Sequence, residues 1–136
     1  MQHITGIARN QMFFSSLEDT ILLDNPVRFI DAFVEVLSLR AMGFTVQTIK
    51  AEGRLSYNSK LFLKIYLYGY LNGLRSSRKL EKECTRNIEL QWLLCGIVPN
   101  YYSISDFRKQ NPTGLKNLGL FLPRSLLAMP TRWWNI

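Results

Sequence analysis

Residues 67–94, LYGYLNGLRSSRKLEKECTRNIELQWLL, decide the fold, because they pass from an apolar run to dense charge without a linker. The apolar run begins earlier, after Asn58, a residue suited to capping a helix. From there, SKLFLKIYLYGYLNGL places aliphatic and aromatic side chains around nearly the whole circumference of a helix. Since a helix that is apolar on all sides is buried, this stretch predicts a central helix. Gly69 is expected to allow another helix to approach it closely.

The charged half of the stretch predicts two short helices, and a third follows. SRKLEKECT is expected to start near Ser77, and NIELQWLLCG to run from a cap at Asn87 to an end at Gly96. Ser103, with Asp106 three residues later, predicts a capping box at the start of ISDFRKQ. Short helices joined by tight turns are typical of a helix-turn-helix, and they are equally typical of ordinary helical bundles.

The N-terminal part of the chain also predicts helices. In DNPVRFIDAFVEVLSL, Asn25 suits the cap, Pro26 suits the first helical position, and apolar residues recur at three-to-four spacing. SLEDTI predicts one brief turn capped by Ser16. Gly43 is expected to end the first long helix or a turn after it, and TVQTIKAEGRLSY predicts a loop with weak strand propensity. The expected fold class is therefore all-α, a small bundle of short helices with a helix-turn-helix-like arrangement.

Length and composition indicate one ordinary domain, or part of a larger protein, with an excess of basic residues. Of its 136 residues, 47% are hydrophobic and 20% charged, a composition that does not indicate disorder. The formal net charge is +7, from 17 basic and 10 acidic residues. Residues 57–111 hold nine basic and four acidic side chains, whereas residues 1–56 have one more acid than base. This central excess favours a polyanion such as DNA as the partner.

Several function classes have no support in the residues. Two cysteines and one histidine give neither a disulfide framework nor metal-ligand spacing, which fits a cytoplasmic protein without a metal or another cofactor. The longest apolar stretch is about eleven residues and contains Lys64, so neither a membrane span nor a membrane partner is expected. No Gly-rich phosphate loop or catalytic set of acids and histidines occurs, so no catalytic residue and no small-molecule substrate is predicted.

Basic residues after the apolar run are the candidate DNA contacts. On a helix from Ser77, the side chains of Arg78, Lys82 and Arg86 stand four apart on one face. Lys79 lies beside them. Such a row can neutralise several phosphates and release their counterions. The complete candidate set is Arg75, Arg78, Lys79, Lys82, Arg86, Arg108 and Lys109, of which the last two belong to the third helix, the reading helix of a helix-turn-helix.

A purely structural interpretation of the same charges remains open. The bases can pair with neighbouring acids and simply solvate the helix, as Lys79 and Glu83 could at i,i+4 spacing. The acids available are Glu81, Glu83 and Glu89. Among the aromatic residues nearby, Trp92 is expected in the core, and Tyr101 and Tyr102 are expected in a loop before the third helix.

Three motifs in this order, DNPVRFIDAFV, LFLKIYLYGYLNGLRSSRKLEKECTRNIELQWLL and ISDFRKQN, resemble the N-terminal (InsH-type) domain of bacterial insertion-sequence DDE transposases. The resemblance runs from about residue 11 to residue 111, and residues 1–111 are expected to be this helical domain. It implies a module that precedes a ribonuclease-H-like catalytic domain, which cuts and joins DNA with two metal ions held by Asp and Glu. In the family those acids follow the DFRKQN motif, so none of the acids here is expected to be catalytic.

The last segment, residues 112–136, departs from the resembled family. Relatives continue into a long amphipathic helix, whereas PTGLKNLGLFLPRSLLAMPTRWWNI contains no acid and several helix breakers, so that one continuous helix is not expected. The breakers are Pro112, Gly114, Gly119, Pro123 and Pro130. Our hypothesis is that a frameshift or early stop produced a divergent tail, which is disordered or folds over core surface bared by the missing domain.

The resemblance and the charge pattern together predict a non-catalytic, truncated N-terminal fragment of an insertion-sequence transposase. Its expected role is that of a DNA-binding or assembly module for DNA transposition, acting on element ends or non-specifically. An alternative is an inhibitor that associates with full-length transposase, or with itself. A decayed gene product without a present function is a further alternative.

Overall fold

The computed structural model describes residues 2–44 and 57–121, with residues 119–121 described by backbone alone, and the regular secondary structure in this part of the chain is helical. A short 3-10 helix, Glu18–Thr20, comes first. The α-helices of the described residues are α1 (Pro26–Glu35), α2 (Ser59–Asn72), α3 (Ser77–Arg86), α4 (Ile88–Leu93), α5 (Tyr101–Gln110) and α6 (Pro112–Phe121). These residues contain no strand, and the predicted all-α bundle is confirmed. The predicted loop at residues 45–56 lies outside the described residues.

Of the two predicted N-terminal helices, α1 has the expected cap, whereas the N-cap of the 3-10 helix is Leu17 and Ser16, which bonds to Asp19, lies one residue before it. The backbone N–H of Asp19 donates to Ser16 Oγ and that of Ser16 donates to Asp19 Oδ2, each over 3.2 Å, which starts the 3-10 helix. Asn25 Oδ1 accepts from the backbone N–H of Val27 over 2.9 Å, and Pro26 occupies the first turn of α1. α1 ends well before Gly43, which lies in a later turn with φ of 88°.

The central position predicted for α2 is confirmed. Its cap is Asn58, whose Oδ1 accepts from the backbone N–H of Lys60 over 2.9 Å, and it ends at Gly73 with φ of 73°. Eight of its fourteen residues are buried, because apolar side chains surround the helix axis. No helix within residues 2–44 and 57–121, α2 included, is long and apolar enough to cross a membrane.

Gly69 brings α2 and α3 into close contact, as the sequence predicts. A Cβ at this position would lie 2.7 Å from the carbonyl oxygen of Leu74 and 3.0 Å from Cδ2 of Leu80 in α3. The distance to Leu74 is shorter than a side chain tolerates, and the distance to Leu80 would require that side chain to shift. The glycine therefore sets how closely the start of α3 approaches the central helix.

One helix start agrees with the prediction and one differs. α3 begins at Ser77, as predicted, with Ser76 as its cap, whereas the cap of α5 is Asn100 rather than Ser103. Asn100 Oδ1 accepts from the backbone N–H of Ser103 over 2.9 Å. Since Asn caps a helix as well as Ser does, the earlier cap extends α5 by a turn that packs against α3. Tyr101 is consequently the first residue of α5 and does not lie in a loop.

The junction between α3 and α4 is a single residue, Asn87. Its backbone N–H donates to Glu83 O over 2.7 Å and ends α3. Its Oδ1 accepts from the N–H groups of Glu89 (2.9 Å) and Leu90 (3.3 Å) and caps α4. Gly96, with φ of 79°, closes the turn after α4 as predicted. α3 therefore packs against both α4 and α5 within a tight three-helix unit.

A cluster of aromatic rings joins α2 to α5 in the core. The ring of Phe107 stacks on Phe62 at 5.1 Å, on Phe44 at 5.8 Å and on Tyr66 at 6.0 Å between centroids. The hydroxyl of Tyr66 donates to the backbone oxygen of Ile104, and burial raises the pKa of this hydroxyl. The three-helix unit is thus fixed to the central helix.

The first ten residues of the tail form α6, whereas the sequence favours disorder there. Pro112 occupies the first helical position, where its missing N–H has no intrahelical partner to lose. Asn117 Nδ2 donates to the backbone oxygen of Met42 over 2.7 Å. Gly114 lies so close to Phe44 that a Cβ would be 2.7 Å from its ring. Residues 122–136 lie outside the described residues.

Candidate nucleic-acid interface

One side of α3 exposes basic residues and no acid. The exposed residues of this helix are Arg78, Lys79, Lys82, Thr85 and Arg86. On the opposite side, Leu80 and Cys84 are each 1% exposed, and burial raises the pKa of the Cys84 thiol to about 11. We call the four exposed basic residues of α3 the α3 cationic face. The predicted amphipathic division of this helix is therefore present from its first to its last turn.

The two acids of α3 are half-buried and make contacts at the junctions of the helix, and one of them, Glu83, also pairs with Arg86. Glu81 Oε2 accepts from the backbone N–H of Tyr101 over 2.5 Å, at the start of α5. Glu83, whose side chain is 15% exposed, accepts from Asn87 Nδ2 over 3.2 Å. Both carboxylates therefore connect α3 to the residues that follow it or pack on it. Glu83 also forms an ion pair with a base.

Arg86 is the member of the α3 cationic face that pairs with an acid. Its Nε donates to Glu83 Oε1 over 2.6 Å, and this bond lowers the pKa of Glu83. The i,i+4 pair between Lys79 and Glu83 that the sequence allows does not form. Within residues 2–44 and 57–118, Arg78, Lys79 and Lys82 make no ion pair. The pairing with acids that the structural interpretation expects is therefore present at Arg86, and the use of the other three bases in binding stays a prediction.

Glu89, the third acid near these bases, is turned toward the core. It accepts from the hydroxyl of Tyr68 over 2.8 Å, and the same hydroxyl accepts from Asn87 Nδ2 over 3.0 Å. Burial raises the pKa of Tyr68, and the hydrogen bond to Glu89 adds to this rise. Glu89 therefore ties α4 to α2 and leaves the exposed bases of α3 unneutralised.

Arg78 reaches from α3 to the first turn of α5. Its guanidinium carbon lies 4.3 Å from the centroid of the Tyr101 ring, a cation–π contact. The rings of Tyr101 and Tyr102 stack with centroids 4.2 Å apart. A hydrogen bond with Tyr102 raises the pKa of Tyr101. Sequence reasoning missed this arrangement, and the signal for it was Asn100, a helix cap directly after Pro99.

The remaining predicted contacts lie outside α3. Arg75 is exposed in the connection just before α3, and Lys109 is exposed on α5. Arg108 is only half-exposed, and its charge opposes the rise in pKa that burial gives Tyr66. Because successive helical residues point about 100° apart, Arg108 and Lys109 face different surroundings. The use of these residues in binding stays a prediction.

Trp92 lies at the edge of the core, where it contacts the N-terminal part of the chain. It is partly buried against the core, as predicted, and its Nε1 donates to Glu18 Oε2 over 3.1 Å. The guanidinium carbon of Arg28 lies 4.9 Å from the centroid of its ring, and Arg28 also pairs with Glu18. Trp92 thus holds the 3-10 helix onto α4 and belongs to the structure of the domain.

A second set of charged residues lies between α1 and α2. Lys64 Nζ is 2.7 Å from Asp31 Oδ1 and 2.9 Å from Glu35 Oε1. Lys60 Nζ is 3.8 Å from Glu35 Oε2 and donates to the Glu35 backbone oxygen over 2.8 Å. We call these four residues the α1–α2 seam.

Within residues 2–44 and 57–118, no three His, Cys, Asp or Glu side chains are placed to hold a metal ion.

Comparison with known families supplies the identity of the fold. The family model described as Transposase domain (DUF772) matches residues 15–110, from the 3-10 helix to the end of α5. No curated protein and no solved structure matches the chain. The match covers more than half of the 136 residues and confirms the resemblance to an N-terminal transposase-type domain. The chain therefore belongs to the transposase domain family.

Proposed function

We propose that this domain binds duplex DNA through its phosphates, as a DNA-binding or assembly module for transposition, with the α3 cationic face as the contact surface. The observation that carries the proposal is the division of charge on α3, whose exposed residues are four bases and one threonine. Its two acids, Glu81 and Glu83, are half-buried at the junctions with α4 and α5. A surface built in this way attracts a polyanion, and the carboxylates of α3 compete for Arg86 but not for Arg78, Lys79 or Lys82.

The expected binding is electrostatic and depends strongly on salt. Arg78 and Lys82 are four residues apart, which separates their positions along the helix by about 6 Å. Each phosphate that such a residue neutralises releases condensed counterions and contributes about 0.9 to the slope of log affinity against log salt. Phosphate contacts position a protein on DNA and carry no direct sequence information. The α3 cationic face is therefore proposed to supply affinity and register.

In this proposal α5 contacts the base edges of the DNA. α4 and α5 would then act as the two helices of a helix-turn-helix-like arrangement. α5 packs on α3 and presents Lys109 and Gln110 to solvent, and both side chains can donate to base edges. No strand cleavage is proposed for the chain itself. Its carboxylates at Asp31, Glu35 and Glu83 are held in ion pairs with bases.

The test compares two triple variants that remove the same charge. One carries Arg78→Ala, Lys79→Ala and Lys82→Ala. The control carries Arg9→Ala, Arg40→Ala and Lys116→Ala, which are exposed and lie outside α3. Fluorescence anisotropy with a short labelled duplex, repeated over a range of salt concentrations, gives the affinity and its salt slope for each protein.

We expect the α3 variant to lose about three units of salt slope, because three phosphate contacts are removed. The control variant should keep most of the slope, since its three bases lie outside α3. Equal losses in the two variants would mean that binding depends on net charge alone and that α3 is not the contact surface.

A second candidate function is association with another transposase chain. It is favoured by large apolar side chains that the N-terminal segment exposes, among them Phe13 (66%), Phe14 (97%) and Leu23 (88%). Exposed apolar patches are typical of protein contact sites. Size-exclusion chromatography of the chain mixed with a full-length transposase tests it. Co-elution supports the association, and separate elution at micromolar concentration rules it out.

A further inference from the structure

The aromatic pair at the start of α5 has no part in the phosphate contact proposed above. Tyr102 is 64% exposed, and its ring stacks on Tyr101 with centroids 4.2 Å apart. The tyrosines of α2 differ, because Tyr66, Tyr68 and Tyr70 are at most 3% exposed. Most of the Tyr102 ring surface is therefore in contact with solvent while the ring is supported from one side.

The position of this pair is fixed by contacts with α3. The backbone N–H of Tyr101 donates to Glu81 Oε2 over 2.5 Å, and the guanidinium carbon of Arg78 lies 4.3 Å from the Tyr101 ring centroid. A ring held in this way loses little conformational freedom when a ligand stacks on it. An exposed, supported aromatic ring is the element that proteins use to stack nucleobases without regard to sequence.

The cation next to the rings supplies the second half of a nucleotide site. Arg78 belongs to the α3 cationic face and also touches the aromatic pair. A nucleotide carries a flat base and a charged phosphate, so a ring and a guanidinium side by side match both parts. In an intact duplex the base faces are occupied by neighbouring bases. Only an unpaired nucleotide presents a face to Tyr102.

We infer that Tyr102 stacks on an unpaired nucleobase while Arg78 holds the adjoining phosphate, so that the domain prefers DNA with a single-stranded or extrahelical nucleotide. This inference rests on the proposed function, because it requires that α3 contacts the DNA backbone. The inference goes beyond the proposed function because it names the kind of DNA that the surface prefers, which is DNA with an unpaired nucleotide. Ordinary paired DNA would bind through the phosphates alone.

The experiment uses the 136-residue chain and two DNAs of equal length. One is fully paired, and the other has a single extrahelical 2-aminopurine in its centre. Fluorescence anisotropy gives both affinities, and the 2-aminopurine emission reports stacking directly, because stacking quenches it. Three variants are compared with the unchanged chain: Tyr102→Ala, Tyr102→Phe, and the double variant Lys79→Ala with Lys82→Ala. Circular dichroism checks that each variant folds.

We expect the unchanged chain to prefer the extrahelical DNA and to quench its 2-aminopurine. Tyr102→Ala should weaken binding to this DNA by about 5- to 150-fold, the range that loss of one base–aromatic stack produces. Tyr102→Phe should keep both the preference and the quenching, since the ring remains. The double variant should weaken binding to both DNAs by a similar factor and leave their ratio unchanged.

The outcomes separate the inference from the proposed function. If the unchanged chain binds both DNAs equally, or if Tyr102→Ala leaves the ratio and the quenching unchanged, the stacking site is wrong while phosphate binding stands. If the unchanged chain binds neither DNA with a salt-dependent affinity, the proposed function fails, and the inference fails with it.

Discussion

The α1–α2 seam and the α3 cationic face carry bases at the same helical spacing and use them in opposite ways. Lys60 and Lys64 are four residues apart, as are Arg78 and Lys82. In the seam, α1 brings two carboxylates against the lysines, and Lys64 has a side chain only 14% exposed. On α3, the acids turn toward neighbouring helices and the bases stay in solvent. The position of the acids, and not the number or spacing of bases, decides which surface can bind an anion.

The pairing of bases with acids in the α1–α2 seam also shifts the pKa values of its residues. Partial burial acts to lower the pKa of Lys64, but its hydrogen bonds to Asp31 and Glu35 outweigh this and raise it. The hydrogen bond from Lys64 lowers the pKa of Glu35. Both shifts mean that the charged pair is favoured in the folded state. The seam therefore uses its bases for stability, and they are not available to a phosphate.

The largest expected effect separates the two sides of α3. Leu80→Ala should lower the free energy of unfolding by about 2–5 kcal/mol, because it empties a fully buried position that packs on Gly69. Lys79→Ala, on the exposed side, should change it by no more than about 0.5 kcal/mol. Urea denaturation followed by circular dichroism measures both. Similar losses from the two substitutions would contradict the division of α3 into a buried and an exposed side.

The next effect compares one lysine from each region in DNA binding. Lys82→Ala should weaken binding to duplex DNA about threefold at moderate salt, because one phosphate contact is lost. Lys64→Ala should leave the affinity unchanged, since two carboxylates already neutralise this lysine. Anisotropy titrations of the two variants under identical salt conditions test this pair. A larger loss from Lys64→Ala would move the contact surface to the seam.

A smaller effect should follow when the acid beside Arg86 is neutralised. Glu83→Gln removes the ion pair that occupies Arg86 and makes this base available to a phosphate. We expect tighter DNA binding by up to about threefold and a steeper salt slope. The matched control is Asp106→Asn, an exposed acid on α5 outside any ion pair among the described residues. If both changes tighten binding equally, the gain reflects net charge and not Arg86.

The smallest effect is the pH dependence of the seam. Because the pKa of Glu35 is lowered in the folded state, its pairing stabilises the fold above the ordinary value of 4.5 and is lost as the pH falls through the folded value. Glu35→Gln should therefore cost about 0.5 kcal/mol at neutral pH, as exposed ion pairs do, and nothing in strong acid. Urea denaturation of both proteins at the two pH values measures it. If the two proteins differ in free energy of unfolding by the same amount at both pH values, the effect of the substitution is not electrostatic.

The helices of this domain could be predicted from local sequence to a large extent. Asn25, Asn58 and Asn87 cap helices where the sequence places them, and the all-round apolar pattern of α2 gives the centre of the bundle. The start of α5 could not be fixed, because Asn100 and Ser103 are both good caps. α6 was not predicted, because glycine normally weakens a helix. In the folded domain Gly114 packs against the ring of Phe44, a contact that local sequence does not reveal.

The candidate site could be predicted only in part. Helical periodicity is enough to put Arg78, Lys82 and Arg86 on one side of α3, opposite Leu80 and Cys84. Periodicity does not give the partners of the acids, since Glu81 and Glu89 are engaged by residues distant in sequence. Which bases stay unpaired, and the contact of Arg78 with Tyr101, depend on tertiary packing.

The most direct test of the central claim is an NMR titration of the labelled chain with a short DNA duplex at low salt. We expect backbone and side-chain shifts to concentrate on the exposed residues of α3 and on the first turn of α5. The α1–α2 seam should remain unperturbed and serves as the internal reference. Shifts that cluster on Lys60 and Lys64, or that are absent from Arg78, Lys79 and Lys82, would contradict DNA binding by α3.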